Sequence, residues 1–267
     1  MLQKITFRSV VFLGAGHGLL KMIAIGLGKH AGALRLHSRG FENMEDSIKR
    51  ATEIAIGADK ILFGIAIVEN ELHQTCWLKC VCPENFFNID KYAQALSKTV
   101  IGGIPFKDID VLFIQEIGKE ISGNGFDPNI ADRFQFKGKV LHTGANPRYV
   151  IVSNLTKITH GNAAGIGSAD LIIERLYEKL DLEKTYINCI TARKPDEARI
   201  PMIVKNDESA MKLCMMMCDK DKHNIRVVCM QNTMTSMQLY ISPALIGECD
   251  CDTNVDLKMM DGYYVDL

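Results

Sequence analysis

Short apolar runs punctuate this chain, each followed by a loop and then by a stretch with helical spacing. Val10 to Leu13, Ile61 to Val68, Val111 to Ile114, Val150 to Val152, Tyr186 to Ile190 and Ile225 to Met230 are predicted as strands. Most are unbroken runs and not alternations, which predicts strands buried on both faces. Met44, Ile48, Ala51 and Ala55 form a stripe at helical spacing. Ala169 to Leu180 is predicted as a second helix with Ser168 as its N-cap, and Asp207 to Cys218 as a third, capped by Asn206 or Asp207. Strands alternating with helices imply parallel sheets with right-handed crossovers. The expected fold class is therefore α/β: two α/β units with mainly parallel sheets and an active-site cleft between them. Asn88 to Phe106, a polar helical stretch followed by Gly102, Gly103 and Pro105, reads as the connection. It sets a boundary near residue 92, dividing 1–92 from 93–267. No internal repeat or low-complexity tract interrupts the pattern.

Composition narrows the function classes. At 267 residues, with 47% hydrophobic and 24% charged side chains, the chain has the make-up of a globular protein with a full core. A net charge of −1 supplies no field to hold nucleic acid or an acidic membrane. No apolar run is long enough to span a bilayer. Val10 to Leu13 is too short for a signal-peptide core and no small-residue cleavage site follows it, so the expected compartment is the cytoplasm. There the nine cysteines are free thiols. Cys76, Cys80 and Cys82 share one parity with Leu78 and are expected to line one apolar strand face. Cys214 and Cys218, one helical turn apart, suit a buried helix face. None of these spacings matches a structural zinc site.

The glycines near the N-terminus admit a dinucleotide-binding reading. Val10 to Leu13 runs into Gly14-Ala15-Gly16-His17-Gly18, and Arg39 follows a second candidate strand at Leu34 to His37, where it would meet a 2′-phosphate. The fingerprint breaks at Leu19, where Gly or Ala is needed for close helix packing. Gly26, Gly28 and Gly32 also weaken the helix that should follow.

A longer stretch carries a different pattern. Gly18-Leu19-Leu20-Lys21-Met22-Ile23-Ala24-Ile25-Gly26, continuing to Leu36-His37, resembles the core motif of the nickel-pincer lactate racemase family. Lys21, Gly26 and His37 fall on that family's spacing of a lysine after a Gly-rich turn, a glycine five residues on and a histidine sixteen residues on. Two later segments resemble the second-domain signature of an uncharacterised branch of the same family. One runs from Asp110 to Asn129 and includes Gln115-Glu116-Ile117-Gly118-Lys119; the other is Thr159-His160-Gly161-Asn162-Ala163-Ala164-Gly165-Ile166-Gly167. The resemblance implies racemisation or epimerisation of a small 2-hydroxy acid by hydride transfer to a nickel-pincer nucleotide. In it Lys21 tethers the nucleotide, Gly18 and Gly26 shape its site, and His37 ligates the nickel. A neutral imidazole suits Ni²⁺, and a lysine amine condenses with a thiocarboxyl group.

The chain departs from the family at its start. Full members carry a longer N-terminal stretch with a nucleotide-phosphate site and a catalytic histidine. A second catalytic histidine lies a little upstream of the lysine, where this chain reads Lys4-Ile5-Thr6-Phe7-Arg8-Ser9. The expectation is an N-terminally truncated member, and a catalytically inert paralogue or binding module is the alternative.

Loops after parallel strands are where ligands sit. The loop after Val111 to Ile114 offers Glu116, Lys119, Ser122, Asn124 and Asp127; that after Val150 to Val152 offers Asn154, Thr156, His160 and Asn162 before a helix whose start would hold an anion. Thr191 and Arg193 follow Tyr186 to Ile190, and Gln231, Asn232 and Thr233 follow Ile225 to Met230. Lys119 is the candidate for the substrate carboxylate, because a cation stabilises both it and a developing oxyanion. His160 is the second catalytic candidate.

Overall fold

The computed structural model describes residues 19–39, 43–58, 61–69, 74–98, 104–118, 125–126, 130–133, 135–136, 139–140, 145–233, 238–248 and 256–259. The expected strand at Val10 to Leu13 and the glycines that follow it, Gly18 included, lie outside them. The chain divides into one unit of residues 1–101 with 191–193 and another of 102–190 with 194–267. The boundary expected at 92 falls inside a helix, and the division comes after that helix has ended.

In the first unit α1 (Leu19–Ser38) and α2 (Met44–Gly57) precede strands β1 (Gly64–Glu69) and β2 (Thr75–Val81), and α3 (Phe86–Lys98) closes the series. Helix α1 runs through Gly26 and Gly32, but its backbone leaves helical geometry at Lys29, with φ 50°. The stripe expected on α2 buries Ile48 against Leu36 of α1 and Phe86 of α3. Strands β1 and β2 pair antiparallel, Gly64 opposite Val81, which corrects the expectation of a parallel sheet in this unit. The connection between them is too short for a crossover. The cysteine expectation is also corrected. Cys76, Leu78 and Cys80 do share a face of β2, but that face is exposed, Leu78 by 58%. Helix α3 covers the opposite face, where Val68 and Ala93 pack with Trp77, and the Trp77 ring lies 5.4 Å from that of Tyr92.

The second unit is built on β3 (Val111–Ile114). A small antiparallel hairpin, β4 (Gln135–Phe136) with β5 (Lys139–Val140), precedes β6 (Tyr149–Val152). Then come β7 (Leu171–Ile173), α4 (Glu174–Tyr177), α5 (Leu182–Thr191), β8 (Met202–Val204), α6 (Asp207–Cys218), β9 (Val227–Met230), β10 (Gln238–Ile241) and β11 (Asp256–Met259). Seven strands form one mixed sheet in the order β11-β10-β9-β3-β6-β7-β8. The five from β9 to β8 are mutually parallel, and β10 turns back antiparallel to β9. The α/β class therefore holds, with a mostly parallel sheet.

Burial on both faces explains the unbroken apolar runs. Val111, Phe113, Ile151, Leu171, Ile173 and Val227 face α6, which buries Ala210, Met211, Cys214 and Met215 at helical spacing. Leu112, Ile114, Val150, Val152, Ile172 and Val228 face a layer of irregular chain carrying Phe106, Ile109, Phe126, Leu155 and Ile166. Helix α6 is capped as expected by Asn206, whose side chain accepts from Ser209 N at 2.8 Å.

Two expectations reverse. Tyr186 to Ile190 is helical, within α5, because Asp181 caps that helix: its carboxylate accepts from Lys184 N at 3.0 Å. Ala169 to Leu180 is not one helix with Ser168 as its cap, because Leu171–Ile173 is drawn into the sheet between β6 and β8 and only Glu174–Tyr177 remains helical. Asp170 fixes the entry of β7, accepting from Val150 N at 2.7 Å and from Arg133 at 2.6 Å. Tertiary pairing of a β-branched run here outweighs local helix propensity.

Burial pushes the Cys214 and Cys229 thiols up to about 12. Each stays protonated in the folded chain while its unfolded counterpart ionises above about 9, so stability falls as pH rises from about 9 toward about 12. In urea titrations across that window, Cys229→Ala is expected to flatten the fall by about 1.4 kcal/mol per pH unit. An unchanged slope would remove the burial effect.

Candidate functional site

Chain order locates the site. From β3 the parallel strands are laid down outward through β6, β7 and β8, and the chain then returns to place β9 on the other side of β3. The point where the winding reverses, at the carboxyl ends of β3 and β9, is where open parallel sheets leave a crevice. Past their strands the three central segments stay hydrogen-bonded. Gln115 N donates to Met230 O at 3.0 Å, Glu116 N to Gln231 O at 2.9 Å, Ile117 N to Asn154 O at 3.0 Å and Thr156 N to Ile117 O at 3.0 Å.

Beyond them the two segments after β3 and β6 touch backbone to backbone. Gly118 N donates to Gly125 O at 3.1 Å within the segment after β3, and Phe126 N donates across to Ala164 O at 3.0 Å. Gly125 and Gly165 make this approach possible. Both have positive φ, and a Cβ on Gly165 would stand 2.5 Å from Phe126 O.

Polar side chains gather along this edge in two groups. Asn154 donates its Nδ2 to Glu116 Oε1 at 3.3 Å and accepts at Oδ1 from Lys179 Nζ at 2.6 Å. Ser153, 2% exposed, donates to Asp207 Oδ1 at 2.8 Å and accepts from Arg175, which also pairs with Asp207 at 2.6 Å. Thr156 and Thr233 bury their hydroxyl oxygens without a hydrogen-bond partner among the described residues.

The expected site residues are placed unevenly. Lys119 lies outside the described residues, directly after Gly118. His160 sits in an exposed turn with φ 51°, and its carbonyl accepts from Lys184 Nζ at 3.1 Å. The helix expected after it, Ala169 to Leu180, begins as strand β7 and keeps only Glu174–Tyr177 helical, so that segment offers no helix start to an anion directly after the loop. Thr191 ends a helix and Arg193 lies just after it, which removes both from the strand-end loops. Lys21 and His37 occupy opposite ends of α1, with Gly26 between them; the structure does not describe the Lys21 side chain. His37 Nδ1 lies 2.7 Å from Ala33 O.

No family model, curated protein or solved structure matches the chain. Among the described residues no group of three or more His, Cys, Asp or Glu is placed to hold a metal, and no helix is long and apolar enough to cross a membrane.

Sequence reading missed Ser153, Arg175, Lys179 and Asp207. Arg175 and Lys179 follow β7, and they were hidden because Ala169 to Leu180 reads as one helix. The β-branched pair Ile172-Ile173 beside Asp170 was the available signal. Removing the Ser153 hydroxyl withdraws two hydrogen bonds from a buried position, so Ser153→Ala is expected to cost about 1–3 kcal/mol in chemical unfolding. Gly165→Ala strains both the positive φ and the Phe126 contact; a loss of about 2 kcal/mol or more is expected. Wild-type stability in the Gly165 variant would show that the two segments do not need this contact.

Proposed function

We propose that the second unit binds a small 2-hydroxy acid at the carboxyl edge of its sheet, and that the chain racemises or epimerises it with a nickel-pincer nucleotide. One observation carries this. The two second-domain segments on which the lactate racemase resemblance rests meet through Phe126 N and Ala164 O, beyond the strands where a parallel sheet binds ligands.

The donor chemistry of His37 fits a nickel ligand. Its Nδ1 is hydrogen-bonded to the Ala33 carbonyl, the kind of contact that orients metal-binding imidazoles. Lys21 is the proposed tether, with Gly18 and Gly26 shaping the nucleotide site. When bound, the group supplies the acceptor and then the donor of the substrate's Cα hydride. The chain's own part is to hold the carboxylate, through Lys119, and to take up and return the hydroxyl proton, through His160. The polar network of Glu116, Asn154 and Lys179 keeps the same edge ordered.

Protein co-produced with the cofactor's biosynthetic enzymes is expected to hold close to one nickel per chain and to lose it in His37→Ala. It should racemise enantiopure lactate or a related hydroxy acid in D₂O without taking deuterium at Cα, since a hydride that leaves and returns does not exchange with solvent. Neither nickel nor racemisation would remove the racemase assignment; deuterium at Cα would replace hydride transfer with proton abstraction.

A further inference from the structure

Three elements contribute one side chain each to a short relay: Glu116 from the segment after β3, Asn154 from the segment after β6, and Lys179 from just past α4. The half-buried Asn154 amide has only one orientation that satisfies both neighbours. Its oxygen must face the ammonium and its NH₂ the carboxylate, because the flipped amide would set donor against donor and acceptor against acceptor. The amide thus holds a cation and an anion at its two ends and keeps them from closing into a salt bridge.

The cations nearby are treated differently. Arg175 is bound by Asp207 and Lys184 by Asp181. Lys179 meets a neutral amide and, among the described residues, no carboxylate, although it is exposed and uses one of its three N–H donors on Asn154. A lysine fixed by a hydrogen bond but not neutralised is a binding group for an anion.

We propose that Lys179 and Glu116, held by Asn154, bind a small monocarboxylic acid with a hydroxyl on the adjacent carbon. This rests on the hydroxy-acid reading above and adds the residues that would select the substrate. The ligand's carboxylate accepts from the Lys179 ammonium; in the bound ground state its hydroxyl donates to the Glu116 carboxylate, and His160 takes that proton only as the hydride leaves. The two functions sit on adjacent carbons of the ligand, so their oxygens are spaced about as closely as the oxygen and nitrogen of the amide that separates their partners. An acid without the hydroxyl leaves Glu116 without that donor. A dicarboxylate sets a second negative charge against Glu116, which disfavours it by like-charge repulsion.

The test is titration of the full chain, without cofactor, with glycolate, acetate and malonate, followed by calorimetry or ligand-observed NMR. Glycolate should bind more tightly than either of the others. Lys179→Ala, with an unchanged melting temperature, should weaken glycolate about tenfold or more, while Lys179→Arg keeps most of the affinity. Glu116→Gln should bring malonate closer to glycolate. Glycolate binding that Lys179→Ala leaves untouched overturns the assignment of Lys179 while the edge remains a hydroxy-acid site. Failure of the wild-type chain to bind glycolate overturns the site itself. Lys179-dependent binding in a chain that neither holds nickel nor racemises upholds the site and removes the racemase reading alone.

Discussion

Everything in the second unit depends on β3 being paired on both edges and buried on both faces. Its four side chains are fully buried, alternating between the α6 layer and the irregular layer. Its backbone is hydrogen-bonded to β6 on one side and to β9 on the other. A slip of one residue would exchange the two layers, so the register is fixed by packing as well as by hydrogen bonds. That fixed register carries Gln115, Asn154 and Gln231 to the same edge and makes their relative positions a property of the core.

The two ends of the sheet treat charge in opposite ways. At the amino end Asp110 accepts from Lys220 at 2.7 Å and from Arg226 N at 2.8 Å, and Asp170 is closed by Arg133 and Val150 N. These carboxylates have cations and backbone donors of their own. At the carboxyl end the Ser153, Arg175 and Asp207 group is similarly closed, whereas among the described residues Lys179 and Glu116 are linked through an amide and not to each other's opposite charge. The closed groups tie elements together, and the other is the one proposed to take a ligand.

The core was more legible in the sequence than the site. Val111–Ile114, Tyr149–Val152 and Val227–Met230 could be read as strands because burial on both faces leaves an unbroken apolar run, and α6 because its cap and stripe agree. The errors share a cause: short apolar runs have no period of their own, so neighbours decide. Asp181 turned Tyr186 to Ile190 into helix, and the flanking strands turned Leu171–Ile173 into sheet. The glycines at 125 and 165 were visible as loop residues, but which backbone each one admits is a long-range fact. Asn154 was recognised as a strand-end residue, yet its partners, Glu116 and Lys179, are 38 and 25 positions away and no spacing rule connects them.

The placement of β9 beside β3 also bears on how the chain is made. Val111 pairs with Val227, so the middle of the sheet joins segments from near the start and near the end of the unit. At the usual rate of synthesis, about 5–20 residues per second, some 4–15 seconds separate the appearance of β6 from that of β9. During that interval one edge of a wholly apolar strand, β3, lacks the partner it has in the folded unit. An unpaired apolar edge is a template for other chains, so this is the stage at which the nascent protein most needs shielding by a chaperone.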